Sequence, residues 1–358
     1  MTIDDDLPTL TLGYMPLIDC APLIAAVRLG LDRRHGLRLV LRRQASWAAI
    51  RDKLLSGELD AAHALTGLVY GIDAGIAGPQ ADLAILLTLN QNGQAITLSP
   101  PLAQGLAAGR PLRELLAELP RRPVFAQTFP TGTHAMWLYY WLAAQGVDPL
   151  RDVRSLTLPP PQMPAALADG ELDGYCAGEP WATQAEALGV GRLAIRSGQL
   201  WPGHPEKVLA CRREFAALQP ELALALTATL LDACRWLDDA GHRRQAVPWL
   251  AQPEVIGLPA ASIEACLLPG GAIDASGSGL RFHDDGRVNF PWLSDGRWFL
   301  RQFRRWGWLA PAQPDEDATR LGNIHRLDTY REAAQRLQVA VPAADSRRSL
   351  LFDGTVWE

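Results

Sequence analysis

Apolar and polar positions alternate from the start of the chain. The segment TLTLGYMPL (9–17) alternates and then meets a proline, the pattern of a strand entering a loop. DCAPLIAAVRLGLDRRHG (19–36) switches to helical spacing and stops at Gly36. LRLVLRRQ (37–44) predicts a second strand. SWAAIRDKLLSG (46–57) predicts a helix with Ser46 as N-cap and Gly57 as its stop. ELDAAHALT (58–66) then returns as a short apolar segment. The order β-α-β-α-β predicts a parallel sheet.

The same grammar recurs downstream. RRPVFAQTF (121–129) reads as a strand, THAMWLYYWLAAQG (133–146) as a helix stopped by Gly146, and VRSLTLPPP (153–161) as a strand. QMPAALADG (162–170) reads as a short helix and ELDGYCAGEP (171–180) as a strand reaching a loop. The junctions LLSGELDAA (54–62) and ALADGELDG (166–174) nearly match. In each, a helix ends at Gly and Glu-Leu-Asp leads into a strand of small residues. One β-α-β unit used twice, once in each of two lobes, accounts for this. A crossing and an amphipathic helix are expected over 100–122. Helices are expected over 214–241, 294–309 and 328–339, with a Pro/Gly-rich stretch at 268–279. The helix over 294–309 is aromatic and basic, but its apolar residues fall at helical spacing, so core and solvated faces explain it.

Composition narrows the classes. A hydrophobic content of 48% and a charged content of 20% belong to an ordinary globular chain. A net charge of −5 gives no electrostatic case for nucleic acid or an anionic membrane surface. No run reaches about 18 uninterrupted apolar residues, so no membrane-spanning helix is expected. The opening MTIDDDLPTLTLGYMPL has no basic, apolar or twin-arginine leader feature, which predicts a cytoplasmic protein. Five widely spaced cysteines without a CxxC predict reduced core thiols.

Two α/β lobes leave a cleft, and ligands of such sheets sit beyond the strand ends. Trp47, Gln94, the run Gly132-Thr133-His134, Glu179 and Trp181 all fall at strand–helix junctions or turns that can face it. Taken singly, each has a plain packing, capping or turn role. The start of the 133–146 helix also presents free N–H groups, which favour an anion. Lys207, in PGHPEKVLA (202–210), is one of only two lysines among 34 Lys and Arg residues. A compact ammonium kept against an arginine background suits a site too tight for a guanidinium. GxSxG, HExxH, P-loop and GxGxxG motifs are absent, and the histidines have no metal-ligand spacing. A binding protein is favoured over an enzyme, with no cofactor or metal expected.

Several segments taken together resemble one family. GYMPLIDCAPLIAA, ASWAAIRDKLLSGELDAAHAL, LNQNGQAITLS, TFPTGTHAMWLYYWLAAQGVDP, LPPPQMPAALADGELDGYCAGEPW and LWPGHPEKVLA are similar to the NrtA/CmpA nitrate- and bicarbonate-binding proteins. The resemblance runs from about residue 9 to 215, with weaker echoes at RWFLRQFRRWGWL and TYREAAQRL. It implies a periplasmic-binding-protein-like type II fold, with residues 1–98 plus 208–358 as lobe one and 99–207 as lobe two. It implies nitrate contacts from Trp47, Gln94, Gly132, Thr133, His134 and Lys207, with Glu179 and Trp181 as further cleft-lining residues. Ala135, where the family often carries an acidic residue, and PWATQ (180–184), where an Asn often follows the Trp, depart from its pattern.

Within the family the chain resembles NasS-type cytoplasmic nitrate/nitrite sensors. That implies a NasT-type ANTAR-domain antiterminator as partner, held without ligand and released with it, and no direct contact with nucleic acid or membrane. The alternative is the substrate-binding component of an ABC importer, and a pyrimidine-precursor or alkanesulfonate binder shares the fold. Nitrate is flat, singly charged and only accepts hydrogen bonds, which suits a ring of donors with one cation. Four heavy atoms at about −1.5 kcal/mol each give roughly −6 kcal/mol, a Kd of tens of micromolar. Bicarbonate needs an acceptor for its proton, for which the sequence offers Glu179, so nitrate and nitrite rank above it.

Overall fold

The structure is a computed structural model and describes residues 7–268, 279–313 and 315–358. The N-terminal Asp run and nearly all of the Pro/Gly-rich stretch at 268–279 lie outside the described residues. Besides a short two-stranded pair, Ser349–Leu350 with Val356–Trp357, the described residues form ten strands: β1 (Thr9–Tyr14), β2 (Arg38–Arg43), β3 (Ala61–Leu65), β4 (Leu83–Gln91), β5 (Gln94–Leu98), β6 (Val124–Gln127), β7 (Arg154–Thr157), β8 (Gly174–Gly178), β9 (Arg192–Arg196) and β10 (Pro205–Arg212). They form two five-stranded sheets, ordered β2-β1-β3-β10-β4 and β7-β6-β8-β5-β9. In each, a strand pairs in parallel with its two successors, and the fourth position is an antiparallel strand from outside the unit.

The repeated Glu-Leu-Asp has a physical cause. Leu59 and Leu172 are buried. The Asp60 carboxylate accepts from the Thr11 N–H at 2.7 Å, and the Asp60 N–H donates to the Thr11 carbonyl at 2.9 Å. Asp173 does the same to Val124, at 2.7 and 2.8 Å. Each Asp thus clasps the first strand of its unit where the third begins, and the Gly before it ends the helix. A buried N–H is unsatisfied if the carboxylate goes, and a charged hydrogen bond contributes about 1.5–3 kcal/mol. Asp173→Ala, which also loses Arg121 at 2.7 Å, is expected to cost that much in urea denaturation. Asp173→Asn, which keeps an acceptor, is expected to cost less; equal losses would show that the clasp is not the reason.

Sequence periodicity erred where a helix is interrupted. The segment expected as one helix over 19–36 is two, Ala21–Arg28 and Leu31–Arg34, because Gly30 sits at φ 65°. The segment 214–241 is likewise divided at Gln219-Pro220, giving Arg213–Leu218 and Pro220–Trp236. Trp47–Ser56 is a helix as expected, with the Ser46 hydroxyl accepting from Ala49 N–H at 3.1 Å and Gly57 at φ 82°. The helix Leu293–Arg305 buries Trp298, Phe299 and Phe303 and exposes Arg301 and Arg305. All five cysteines are buried and unpaired. Among the described residues no helix is long and apolar enough to cross a membrane.

The chain passes between the sheets twice, and the two passages are tied together. Asn92, at φ 61°, donates its N–H to the His204 carbonyl at 3.3 Å and accepts from the Gly203 N–H at 3.0 Å. The strand pairing places β5 in the second sheet and β10 in the first. The divide expected at 98/99 therefore follows a strand of the second sheet, and the one at 207/208 falls inside a strand of the first.

Candidate functional site

The helix Thr133–Ala144 begins the site. It follows β6 through the loop 128–132, has Gly132 at its N-cap, and has no side-chain cap. Thr133–Leu142 of this helix are all buried, and the Trp137 ring packs at a 36° tilt against that of Trp298, 4.7 Å between ring centres. The helix Thr66–Asp73 approaches its N-terminal loop very closely. A Cβ on Gly67 would lie 2.3 Å from the Thr131 carbonyl oxygen, and one on Gly71 2.1 Å from the Thr131 hydroxyl, so only glycine permits this contact. Elsewhere Ile18 N–H donates to the Glu179 carbonyl at 3.0 Å, and the Trp181 indole N–H donates to the Pro16 carbonyl at 3.3 Å. Both contacts join the two sheets' halves.

Lys207 lies at the centre of what these contacts enclose. Its ammonium donates to Asp19 Oδ2 at 2.7 Å and to Glu206 Oε1, and lies 5.4 Å from the centre of the Trp47 ring. His63 Nε2 meets Asp19 Oδ1 at 2.8 Å, and its ring lies 5.7 Å from that of Trp47. On the other side His134 Nε2 lies 3.3 Å from Glu206 Oε1, and its Nδ1 is 2.5 Å from the Thr128 hydroxyl. Gly178, the pairing partner of Gln94, comes so close that a Cβ there would sit 3.6 Å from His134 Nε2.

Strand alternation would send Glu206 and Lys207 to opposite faces. The pairing of β10 with β4 shifts register on both sides of Lys207, and that bulge lets both side chains reach the same cluster. Burial alone would raise both carboxyls. Lys207 and His63 reverse this at Asp19, and Lys207 and His134 reverse it at Glu206, so both are held below the usual range and stay ionised. Burial would lower Lys207, but Asp19 and Glu206 raise it. Burial lowers His63 and His134 against the pull of their carboxylates, leaving both neutral near pH 7.

Several buried polar atoms here have no hydrogen-bond partner among the described residues: Trp47 Nε1, both side-chain polar atoms of Gln94, the Thr133 hydroxyl and Glu206 Oε2. Unsatisfied buried polar atoms are rare because each costs about 1–3 kcal/mol, so a group of them marks a place for a ligand. Trp47, His134 and Lys207 share the cluster, Gln94 adjoins it through Gly178, and Gly132 and Thr133 begin its helix. Glu179 and Trp181 are placed differently. The Glu179 carboxylate pairs with Arg196 at 3.1 Å and accepts from Thr183 N–H at 3.0 Å, capping the helix Trp181–Ala187. Asp19, His63 and Glu206 were not anticipated. A lone histidine in the buried strand AAHAL was the one available signal.

The NMT1-like family profile matches residues 4–251. The nitrate/nitrite binding protein NrtA of Synechocystis sp. is 35% identical over 99% of this chain and 83% of its own length. The bicarbonate-binding protein CmpA of Synechococcus sp. is 30% identical over 96% of this chain and 81% of its own. This chain belongs to the NMT1-like family. As a family member it also aligns with the nitrate import ATP-binding protein NrtC of Synechocystis sp., 34% identical over 97% of this chain but only 53% of NrtC.

The crystal structure of the periplasmic nitrate-binding protein NrtA from Synechocystis has a TM-score of 0.89 and 34% identity, covering 98% of this chain and 95% of that one. The fold is therefore the periplasmic-binding-protein-like fold of these NMT1-like proteins. The same comparison overturns the cytoplasmic placement expected from the N-terminal residues. The matching protein, NrtA, is a periplasmic one.

Proposed function

We infer that this chain is a binding component of an importer for a small planar oxyanion, nitrate or nitrite, gripped between two lobes, each built on one sheet. The carrying observation is a single buried ammonium, Lys207, in a cluster bordered by buried donors without partners, Trp47 Nε1, Gln94 Nε2 and the Thr133 hydroxyl. Gly132, Thr133 and His134 add the uncapped start of a twelve-residue helix. Relatives named for nitrate binding and for nitrate import support the importer over a sensor that holds an antiterminator. We read the chain as a binder and not an enzyme, because the relatives it matches over nearly its whole length are named as binding proteins.

One observation favours a second ligand. Glu206 Oε2, a buried acceptor without a donor, suits the proton of bicarbonate. Glu179 is engaged by Arg196 and does not serve that purpose. Thermal unfolding with sodium nitrate, nitrite and bicarbonate tests both readings. A ligand that binds only the folded chain stabilises it by about 2.7 kcal/mol at a hundredfold excess over Kd. Nitrate is expected to raise Tm accordingly, where sodium chloride at equal ionic strength does not. No shift at millimolar nitrate or nitrite would remove those ligands, and a shift with bicarbonate alone would replace them.

A further inference from the structure

Five ionisable side chains meet at the cleft, none more than 1% exposed: Asp19, His63, Glu206 and Lys207 from the first sheet's half and His134 from the second. Two carboxylates and one ammonium leave the cluster's own side chains one negative charge in excess. An entering anion adds another in a place shielded from water, where like charges repel far more than in solvent. Nitrate meets a second obstacle, since it only accepts hydrogen bonds and Glu206 Oε2 is itself an acceptor without a donor. One proton removes both. On Glu206 it turns an opposing acceptor into a donor; on His134 it makes a cation at the helix start where the anion would lie.

We propose that nitrate enters this cleft together with one proton from solvent, held by the Glu206–His134 pair, so that the protein takes up a proton for each anion bound. This rests on the nitrate reading above. The pair is suited to the task because it spans the two halves of the molecule, Glu206 on β10 and His134 on the helix after β6, 3.3 Å apart. The proton belongs to the pair and not to either member alone. The other groups that face the pair do not supply the charge. Lys207 is already positive, and Asp19 is ionised against Lys207 and His63. Cys176 on β8 is kept a neutral thiol by burial and by Glu206, and burial keeps His204 neutral with its pKa pushed down to about 4.

The test is titration calorimetry of nitrate into the wild-type protein at pH 7 in PIPES, HEPES and Tris, whose ionisation enthalpies differ. The expected result is an observed enthalpy rising with buffer ionisation enthalpy, with a slope of about one proton taken up. Affinity is expected to fall about tenfold per pH unit from pH 7 to 9, because linkage makes proton and anion favour each other equally. Binding with no buffer dependence and no pH dependence overturns the proton and leaves the nitrate reading standing. No heat in any buffer, with no thermal shift, overturns both. In Glu206→Gln the excess charge is gone, so its affinity should lose its pH dependence and exceed the wild type's at pH 9 by about tenfold or more. A pH slope equal to the wild type's would remove Glu206 from the pair. If that variant does not fold, the wild-type slope and pH profile decide alone.

Discussion

Lys207→Ala is expected to abolish nitrate binding and to lower stability by about 3–5 kcal/mol, the usual cost of breaking a buried ion pair from one side. The wild-type ammonium is fully buried and holds two carboxylates, Asp19 and Glu206. Without it neither can stay ionised cheaply, and burial then raises both. The sign of the pH effect follows. In the wild type these two depressed pKa values contribute stability above the unfolded carboxyl value of about 4, lost as pH falls through the folded values. In the variant the carboxyls titrate above their unfolded values, so its deficit shrinks as pH falls from 7 to 5. Urea denaturation at both pH values reads this. Lys207→Met combined with Asp19→Asn and Glu206→Gln removes all three charges and should recover most of the lost stability without recovering binding. Unchanged nitrate affinity in Lys207→Ala would take the lysine out of the site.

Much of this arrangement is legible in the sequence because it rests on local rules. The Ser46 cap, the stops at Gly57 and Gly146 and the repeated Glu-Leu-Asp each act within a few residues, and the structure gives each a bond or a dihedral angle. What escaped is set by chain parts far apart. β9 joins a sheet begun about a hundred residues earlier and β10 one begun about two hundred residues earlier, so nothing local marks their pairing. Asp19 stands in what periodicity reads as a helix start, yet its carboxylate meets His63 and Lys207 across three segments. Glu206 was missed for a definite reason: period-two alternation turns it away from Lys207, and only the bulge in β10 turns it back. Glu179 was favoured because it ends a strand, but Arg196, on the unanticipated strand β9, claims its carboxylate.

Acid should destabilise this protein at pH values above the carboxyl range, and two histidines outside the ligand cluster contribute much of the loss. His204 is buried against Trp137 at 4.6 Å between ring centres, and its Nδ1–H donates to the Pro205 carbonyl at 3.0 Å. His325 is buried with Nδ1–H donating to the Pro291 carbonyl at 2.8 Å, while the Tyr70 hydroxyl donates to its Nε2 at 2.8 Å. Burial pushes both rings down to about 4. The fold therefore prefers the neutral ring, and the unfolded chain takes up protons first as pH drops below about 6.5. Stability is complete above that value and is lost on the way down to 4. Each ring contributes a loss of about 2 kcal/mol by pH 5 and about 3 kcal/mol by pH 4. Together the two remove about 4 kcal/mol by pH 5, a large part of the roughly 5–15 kcal/mol that folded chains possess. His325→Gln keeps a donor and an acceptor without the titration, at some cost in packing. Measured by urea denaturation at pH 7.5 and 5, the gap between wild type and His325→Gln should narrow by about 2 kcal/mol at the lower pH. Parallel losses in the two proteins would show that His325 does not titrate with unfolding and that the acid sensitivity comes from elsewhere.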